Sequence, residues 1–242
     1  MNFYEKLSEV YDVIFPTNQD TVHFLSKQLP SGGCVLDIAC ATGGYASALA
    51  TLGYQVEAID LDKDMIQQAR ERKDAGVHWI VGNMTKVRDY YNDSSFDLIY
   101  CIGNSIVHLD HKEDVINMIT DCRQLLRNDG RLVIGAVNYN RIITNQISGL
   151  PTIERKENNI SFERKYQLDS VNNKILFETK LVEHVDNKEV NFESSVPLLP
   201  LYEEELCSIA YESGFSKVEL YGGFHEEPYE PLKSASVVMV AS

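Results

Sequence analysis

Chemically useful residues in this chain stand where apolar runs stop. Asp37 sits in Val35-Leu36-Asp37-Ile38, and the loop that follows, Ala39-Cys40-Ala41-Thr42-Gly43-Gly44, is made of small residues. Such a loop lets backbone approach a ligand closely. A dinucleotide-binding loop would read G-x-G-x-x-G, whereas Ala39, Ala41 and Gly44 stand here instead. An acidic Asp37 would also repel a pyrophosphate and attract a cation. Asp60 closes the next apolar run, and its two oxygens can accept hydrogen bonds from both hydroxyls of a ribose. The other role open to it, capping the helix that follows, suits Asp62 better. Asn83 can pair with an adenine edge beside Met84, or close a plain turn as Gly82-Asn83-Met84. The set points to a positively charged nucleoside cofactor, with Asp37, Ala39, Ala41, Gly43, Asp60, Leu61, Met65, Asn83, Met84 and Cys101 as the candidate contacts.

These residues need a scaffold that brings the ends of several strands together. Short β-branched runs alternate with helix-period segments, the pattern of parallel strands covered by helices on both faces. Strands are expected at 35–38, 56–59, 78–81, 96–102 and 132–137. Helices are expected at 43–52, from 62 or 63 to about Lys73, and at 112–127, the last stopped by Asn128-Asp129-Gly130. In open sheets of this kind ligands bind beyond the carboxyl ends of the strands. From about Ile142 the pattern turns to longer polar strands, 161–168, 174–185 and 189–196, with Asn172-Asn173 and Asp186-Asn187 as turns. A helix at 202–213 and strands at 215–221 and 236–240 complete the chain. The expected fold is α/β: a Rossmann-like, seven-stranded, mostly parallel sheet with helices on both faces and an antiparallel β insertion. It is organised as one domain over 1–242. Residues 1–30 form an N-terminal helical cap, 31–141 and 197–242 the core, and 142–196 an antiparallel lid insertion.

Composition narrows the classes of ligand. The 242 residues include 22 Lys and Arg against 36 Asp and Glu, a net charge of -14. Such a field repels phosphate backbones, so nucleic acid is excluded as a partner. Cys34, Cys40, Cys101, Cys122 and Cys207 form no C-x-x-C pair and read as reduced thiols. No run approaches the roughly 18 apolar residues of a membrane span, and the first residues do not read as a signal peptide. A cytoplasmic protein without a membrane partner is expected. No His, Cys and carboxylate cluster has metal spacing, so no metal is expected.

The loops carry a wider resemblance. Val35 to Gly43 and Cys101-Ile102-Gly103-Asn104-Ser105-Ile106-Val107-His108-Leu109 resemble the cofactor loop and fourth-strand motif of the glycine and sarcosine N-methyltransferases, within the class I S-adenosylmethionine-dependent methyltransferases. Asn138-Tyr139-Asn140-Arg141-Ile142, Val196-Pro197-Leu198 and Tyr221-Gly222-Gly223-Phe224 are similar to further segments of that family. The resemblance spans about Gly33 to Phe224. It implies S-adenosyl-L-methionine as cofactor, a small-molecule amine as acceptor, and self-association into a homo-oligomer. It also implies that the Gly103 carbonyl and Asn104 side chain accept hydrogen bonds from the amine, with His108 beside them as a third candidate catalytic residue. Tyr11, Asn138, Tyr139 and Tyr221 are the candidate acceptor-binding residues, with Tyr4 and His225 as further aromatic candidates.

The chain departs from the family at Ala41, where a glycine is usual. The family's N-terminal arginine for the methionyl carboxylate is also missing, since the first arginine is Arg70. Backbone N–H groups near Gly43 and Gly44, or Lys6 or Lys27, would take its place. Val137 stands where the family has the arginine that clamps the amino-acid carboxylate, with Arg141 four residues on. The expected acceptor therefore lacks a glycine-type carboxylate. An O- or C-methyltransferase, a binding protein without catalysis, and a nicotinamide-dependent enzyme are the rival readings.

Overall fold

The computed structural model describes residues 2–72, 76–169, 171–185 and 188–242. A seven-stranded sheet runs in the order β10-β11-β5-β4-β1-β2-β3. Its strands are β1 (Cys34–Ile38), β2 (Gln55–Asp60), β3 (His78–Val81), β4 (Phe96–Cys101), β5 (Leu126–Val137), β10 (Val218–Tyr221) and β11 (Ser236–Ala241). Strands β3, β2, β1, β4 and β5 pair in parallel, and β11 runs antiparallel between β5 and β10. The central strands are buried on both faces: Val35, Leu36, Ile38, Leu98, Ile99 and Tyr100 have no exposed surface. This is the doubly covered sheet that the β-branched runs implied.

The helices are α1 (Phe3–Ile14), α2 (Gln19–Ser26), α3 (Gly44–Thr51), α4 (Lys63–Arg72), α5 (Lys112–Leu125), α6 (Tyr139–Thr144) and α7 (Glu203–Glu212). Helix α1 opens on a capping box, with Glu5 N–H on Asn2 Oδ1 at 2.9 Å and Asn2 N–H on Glu5 Oε2 at 2.7 Å. Such a cap contributes about 1 kcal/mol and fixes where the helix starts. Asp62 caps α4, its Oδ1 accepting from Asp64 N–H at 2.8 Å and Met65 N–H at 3.2 Å. The expected end of that helix at Lys73 lies outside the described residues, as does the Asp186-Asn187 turn.

A second sheet, β6-β7-β8-β9, is antiparallel and comprises β6 (Gly149–Arg155), β7 (Ile160–Asp169), β8 (Lys174–Val185) and β9 (Lys188–Leu198). One end packs on α1 through Ile160, Phe162 and Leu181, and the other on the main core through Tyr166, Ile175 and Leu198. Polar ties reinforce both ends. The Arg155 guanidinium donates to the Val13 and Ile14 carbonyls at the end of α1 at 2.7 and 2.8 Å. Leu199 N–H donates to the Val107 carbonyl at 2.8 Å, and Lys174 Nζ to the Asp110 carbonyl.

Two expectations need correction. Strand β6 was not anticipated, because Pro151 and a register shift between Leu150 and Ile153 break the alternation that marks a strand. The helix expected to run to residue 127 ends at Leu125, and the strand expected from 132 starts at Leu126. Phe96 pairs with Leu126 and Leu98 with Arg131, so Asn128-Asp129-Gly130 forms an irregularity within β5 instead of a turn before it.

Candidate active site

At the carboxyl ends of β1 and β2 the backbone is folded tightly. Ala39 (φ 60°), Ala41 (φ 49°) and Gly43 (φ 74°) are all left-handed. Gly43 has a second constraint: a Cβ there would lie 2.1 Å from the Trp79 ring on β3. The two alanines carry a strain that glycine would not, which small residues tolerate better than bulky ones. Asp60 holds this loop. Its Oδ2 accepts from Ala41 N–H at 2.7 Å and its Oδ1 from Asp62 N–H at 2.8 Å. A carboxylate oxygen accepts two hydrogen bonds, so each keeps one acceptor position for a ligand.

Asp60 opens onto a cavity of about 300 Å³, lined also by Ala39, Ile59, Leu61, Asn83, Met84 and His108. Asn83 caps the short 3-10 helix Met84–Asp89, its Oδ1 accepting from Thr85 N–H at 2.9 Å and Thr85 Oγ1 at 3.0 Å. Its amide nitrogen has no hydrogen bond among the described residues. Thr85, Leu109, Asp110 and Asp114 complete the lining together with Gly82, and no lysine or arginine is among them. The cavity is therefore acidic and half apolar. It suits an uncharged base and a cationic tail, and would oppose a pyrophosphate.

Asp37 lies deeper, 3% exposed, with the Tyr100 hydroxyl donating to its Oδ2 at 2.8 Å. Burial pushes its carboxyl up to about 8; the Tyr100 hydrogen bond works against this, and the neighbouring Asp60 charge adds to it. Asp60 is raised as well, chiefly by burial and against its backbone hydrogen bonds. A cation bound beside these two carboxyls would favour their ionised forms and offset the cost of burying them.

Gly103 and Asn104 occupy the loop after β4, both left-handed at φ 79° and 72°. A side chain at Gly103 would meet nothing within 4 Å, so that stretch of loop faces open space. Asn104 is pinned: Val137 N–H donates to its Oδ1 at 3.0 Å, and its Nδ2 donates to the Tyr139 hydroxyl at 3.0 Å. The Tyr139 hydroxyl donates back to Oδ1 at 3.2 Å, so both acceptor positions of that oxygen are taken in the ligand-free chain.

The other candidates are distributed less simply. His108 is exposed at the rim of the cavity that holds Asp60 and Asn83, and desolvation lowers its pKa, so it is a neutral wall on the nucleoside side. Tyr139 is fully buried and reaches the site only through Asn104. Asn138 is 1% exposed with its amide saturated: Nδ2 donates to the Pro231 and Ser234 carbonyls, while Oδ1 accepts from Arg141 N–H and the Tyr229 hydroxyl. It clamps loops and has nothing left for an acceptor. Tyr221 ends β10 and packs edge-on to Phe24, five strand spacings from β2 and so about 24 Å away. Met65 is buried with Leu7, Val10 and Ile14 of α1, and the Cys101 thiol lies in the main core. Tyr11 is half-buried in the α1 cluster, its phenol pushed up by burial and then by the Asp60 charge. Tyr4 lies on an exposed surface by the start of α1, and the His225 ring meets Asp20 at 3.0 Å.

Neither lysine is free for a cofactor carboxylate. Lys6 pairs with Glu9 at 3.1 Å and Glu183 at 3.0 Å, and Lys27 with Glu226 at 2.9 Å. One contact that sequence reasoning did not foresee joins α1 to the cofactor loop: the Thr42 hydroxyl donates to Asp12 Oδ1. Nothing in the local pattern of either residue signals it.

Fold and site together show an α/β protein with an acidic cavity at the carboxyl edge of its sheet. A methyltransferase domain family matches residues 35–130, the span that carries every loop of that cavity. A glycine/sarcosine N-methyltransferase of Aphanothece halophytica is 26% identical over 209 residues, covering 84% of this chain and 74% of that protein. A ubiquinone biosynthesis O-methyltransferase of Xanthomonas axonopodis pv. citri is 31% identical over 125 residues, 50% of each chain. In fold, the chain is similar to the CcbJ methyltransferase from Streptomyces caelestis, with a TM-score of 0.80 at 19% identity over 99% of this chain and 97% of that one. The domain match, the relatives and the fold together support a class I S-adenosylmethionine-dependent methyltransferase. Its residues fit that cofactor: an acceptor pair on Asp60, an amide on Asn83 and buried carboxyls that favour a cation. Among the described residues, no helix is long and apolar enough to cross a membrane, no cluster could hold a metal ion, and the cysteines are free.

Proposed function

We propose that this enzyme methylates the nitrogen of a small-molecule amine other than glycine or sarcosine. The observation that carries the reading is the loop after β4, where Gly103 faces open space beside an Asn104 held in place by Val137 and Tyr139. The likeness to the glycine/sarcosine N-methyltransferase over 84% of the chain supports nitrogen, while Val137 offers an acceptor carboxylate no donor.

In this reading Asp60 takes the ribose hydroxyls, Asn83 the adenine edge, and the N–H groups opening α3 the methionyl carboxylate. Bound there, the cofactor supplies a methyl group carried on a sulfonium. The Gly103 carbonyl and Asn104 Oδ1, the latter exchanging the Tyr139 hydroxyl for the ligand, accept the amine's N–H groups and aim its lone pair, and α1 with the β6–β9 sheet acts as a lid that excludes water. Positioning of this kind can contribute about 7 kcal/mol or more. An aliphatic amine loses its proton at pH 7 for about 4 kcal/mol, which exchange with solvent before binding can supply. His108, on the nucleoside side, is not used as a base.

Incubation with methyl-labelled S-adenosylmethionine and a metabolite extract should place label on an amine nitrogen. Glycine and sarcosine should be at least about a hundredfold poorer than that acceptor, because a carboxylate left unpaired in a closed pocket costs several kcal/mol. Label on oxygen or carbon overturns the reading. A kcat/KM for glycine above about 10⁴ M⁻¹s⁻¹ overturns the argument from Val137. Location in the cytoplasm and self-association are further parts of the proposal, the second open to light scattering.

A further inference from the structure

The inner face of the lid sheet is not uniformly apolar. Alternate side chains of β7, β8 and β9 point inward. One row across these strands, Phe162, Leu181 and Phe192, packs with α1, and another, Tyr166, Phe177 and Val196, packs with the main core. The row between them is Arg164, Thr179 and Ser194. This polar row lies between the part of the face packed on α1 and the part packed on the main core.

Arg164 is held but not satisfied. Its Nη2 donates to the Pro151 carbonyl at 2.7 Å, within the irregularity of β6 between Leu150 and Ile153. Its Nε–H is buried and has no partner among the described residues. Desolvation lowers the guanidinium pKa, the sign of a cation whose surroundings do not repay its burial. Tyr166 stands at the next inward position of β7, about 7 Å along the strand. It shares the main core cluster with Tyr139, which holds Asn104. The sequence Asn104, Tyr139, Tyr166, Arg164 thus leads from the amine position to the lid.

We propose that Arg164 binds a carboxylate of the methyl acceptor, separated from the methylated nitrogen by several bonds. This rests on the amine reading above and adds a substrate class to it. A guanidinium pairs with a planar oxyanion through parallel N–H donors, and the orphaned Nε–H is one of them. A singly charged carboxylate suits the site better than a doubly charged phosphate, since the chain carries a net charge of -14. The departure at Val137 is consistent with this: the carboxylate is met from the lid, farther from the nitrogen than an α-amino acid allows.

The test uses the whole chain loaded with S-adenosylhomocysteine, titrated with 5-aminopentanoate and with 1-aminopentane. The wild type should bind the amino acid about tenfold or more tightly than the plain amine, in line with one charge-assisted pair. Arg164→Gln should abolish that preference by weakening the amino acid alone, Arg164→Lys should recover part of it, and S-adenosylhomocysteine affinity should change in neither. Equal binding of the two probes to the wild type, or binding of neither, overturns the proposal without recourse to a variant. So does a loss in Arg164→Gln that falls equally on both probes, which is what a purely structural strut to Pro151 would give. Should Arg164→Gln fail to fold by circular dichroism, the wild-type preference and Arg164→Lys still decide. Failure of the amine reading is separate, since label on oxygen or carbon would leave a carboxylate preference at Arg164 intact.

Discussion

The proposed nucleoside side and the proposed acceptor side of this enzyme are built in opposite ways. Asp60, Asn83 and the Ala39–Gly43 loop are fixed chiefly by neighbours within about twenty residues, through bonds such as Ala41 N–H to Asp60 and Thr85 N–H to Asn83, with the Thr42 hydroxyl on Asp12 and Trp79 against Gly43 as the longer ties. The acceptor side is assembled from remote segments: Asn104 from the β4 loop, Val137 and Tyr139 from the end of β5, α1 from the N-terminus and the lid from residues 149–198. A site made of local turns can be kept while its far half changes. That is the pattern expected of a scaffold that holds one cofactor and varies its acceptor.

The sharpest way to break this division is at Asp60, which both braces the loop and, in our reading, meets the ribose. Asp60→Ala should weaken S-adenosylmethionine binding roughly ten- to a hundredfold, because a hydrogen bond to a charged group contributes about 1.5–3 kcal/mol. Calorimetry measures it, with circular dichroism as the control for fold. An unchanged affinity in a folded variant removes Asp60 from the cofactor site.

Asn104→Ala tests the other half. Turnover on the identified acceptor should drop about ten- to thirtyfold while S-adenosylhomocysteine affinity stays within about threefold, since the loss falls on acceptor positioning. A loss confined to cofactor affinity would show that the two halves are one.

Legibility in the sequence follows the same line. The parallel strands, their loop-end residues and the Asp62 cap could be read because periodicity and capping act over a few residues. The acceptor side was only partly legible. Asn138 and Tyr139 were expected to touch substrate, yet Asn138 spends its amide on Pro231, Ser234, Arg141 and Tyr229, partners brought close only by the fold. Arg164 gave no signal at all, because a charged residue in an alternating strand reads as solvent-facing until burial shows which face it lies on. Strand β6 was hidden for a related reason: Pro151 spoils the pattern of a strand whose pairing with β7 tolerates a shift in register.

Protons offer a gentler probe of the nucleoside side. With its carboxyl at about 8, Asp37 is mostly neutral at pH 7 in the cofactor-free chain. A cation bound nearby favours the ionised form, so binding should release up to one proton per site, and affinity should rise up to about tenfold per pH unit from roughly pH 6 to 8, then level off. The free chain behaves in the opposite sense. A carboxyl raised above its unfolded value stabilises the fold fully at acid pH and loses that contribution as pH climbs through about 8. Calorimetry in phosphate and in Tris, whose ionisation heats differ, counts the protons. Affinity independent of pH over that range, with no proton release, would mean that Asp37 senses no cofactor charge.

The smallest effect expected is at Tyr139, and it bears on how the acceptor side is held together. The hydroxyl is fully buried and meets Asn104, whose Oδ1 also receives Val137 N–H. Replacing tyrosine by phenylalanine keeps the ring packed and removes the two hydrogen bonds it shares with Asn104; a loss of about 1 kcal/mol in positioning would lower turnover about fivefold with little change in cofactor affinity. A merely structural hydroxyl would lower the melting temperature and leave kcat alone. The decisive comparison is the double variant. If Tyr139 acts only by orienting Asn104, adding Tyr139→Phe to Asn104→Ala should cost nothing further in kcat, because the group it positions is gone. If the two losses add instead, Tyr139 works on the acceptor by a route of its own. Asn104 and Tyr139 would then be separate contacts, and the acceptor side would consist of independent pieces where a coupled pair is expected.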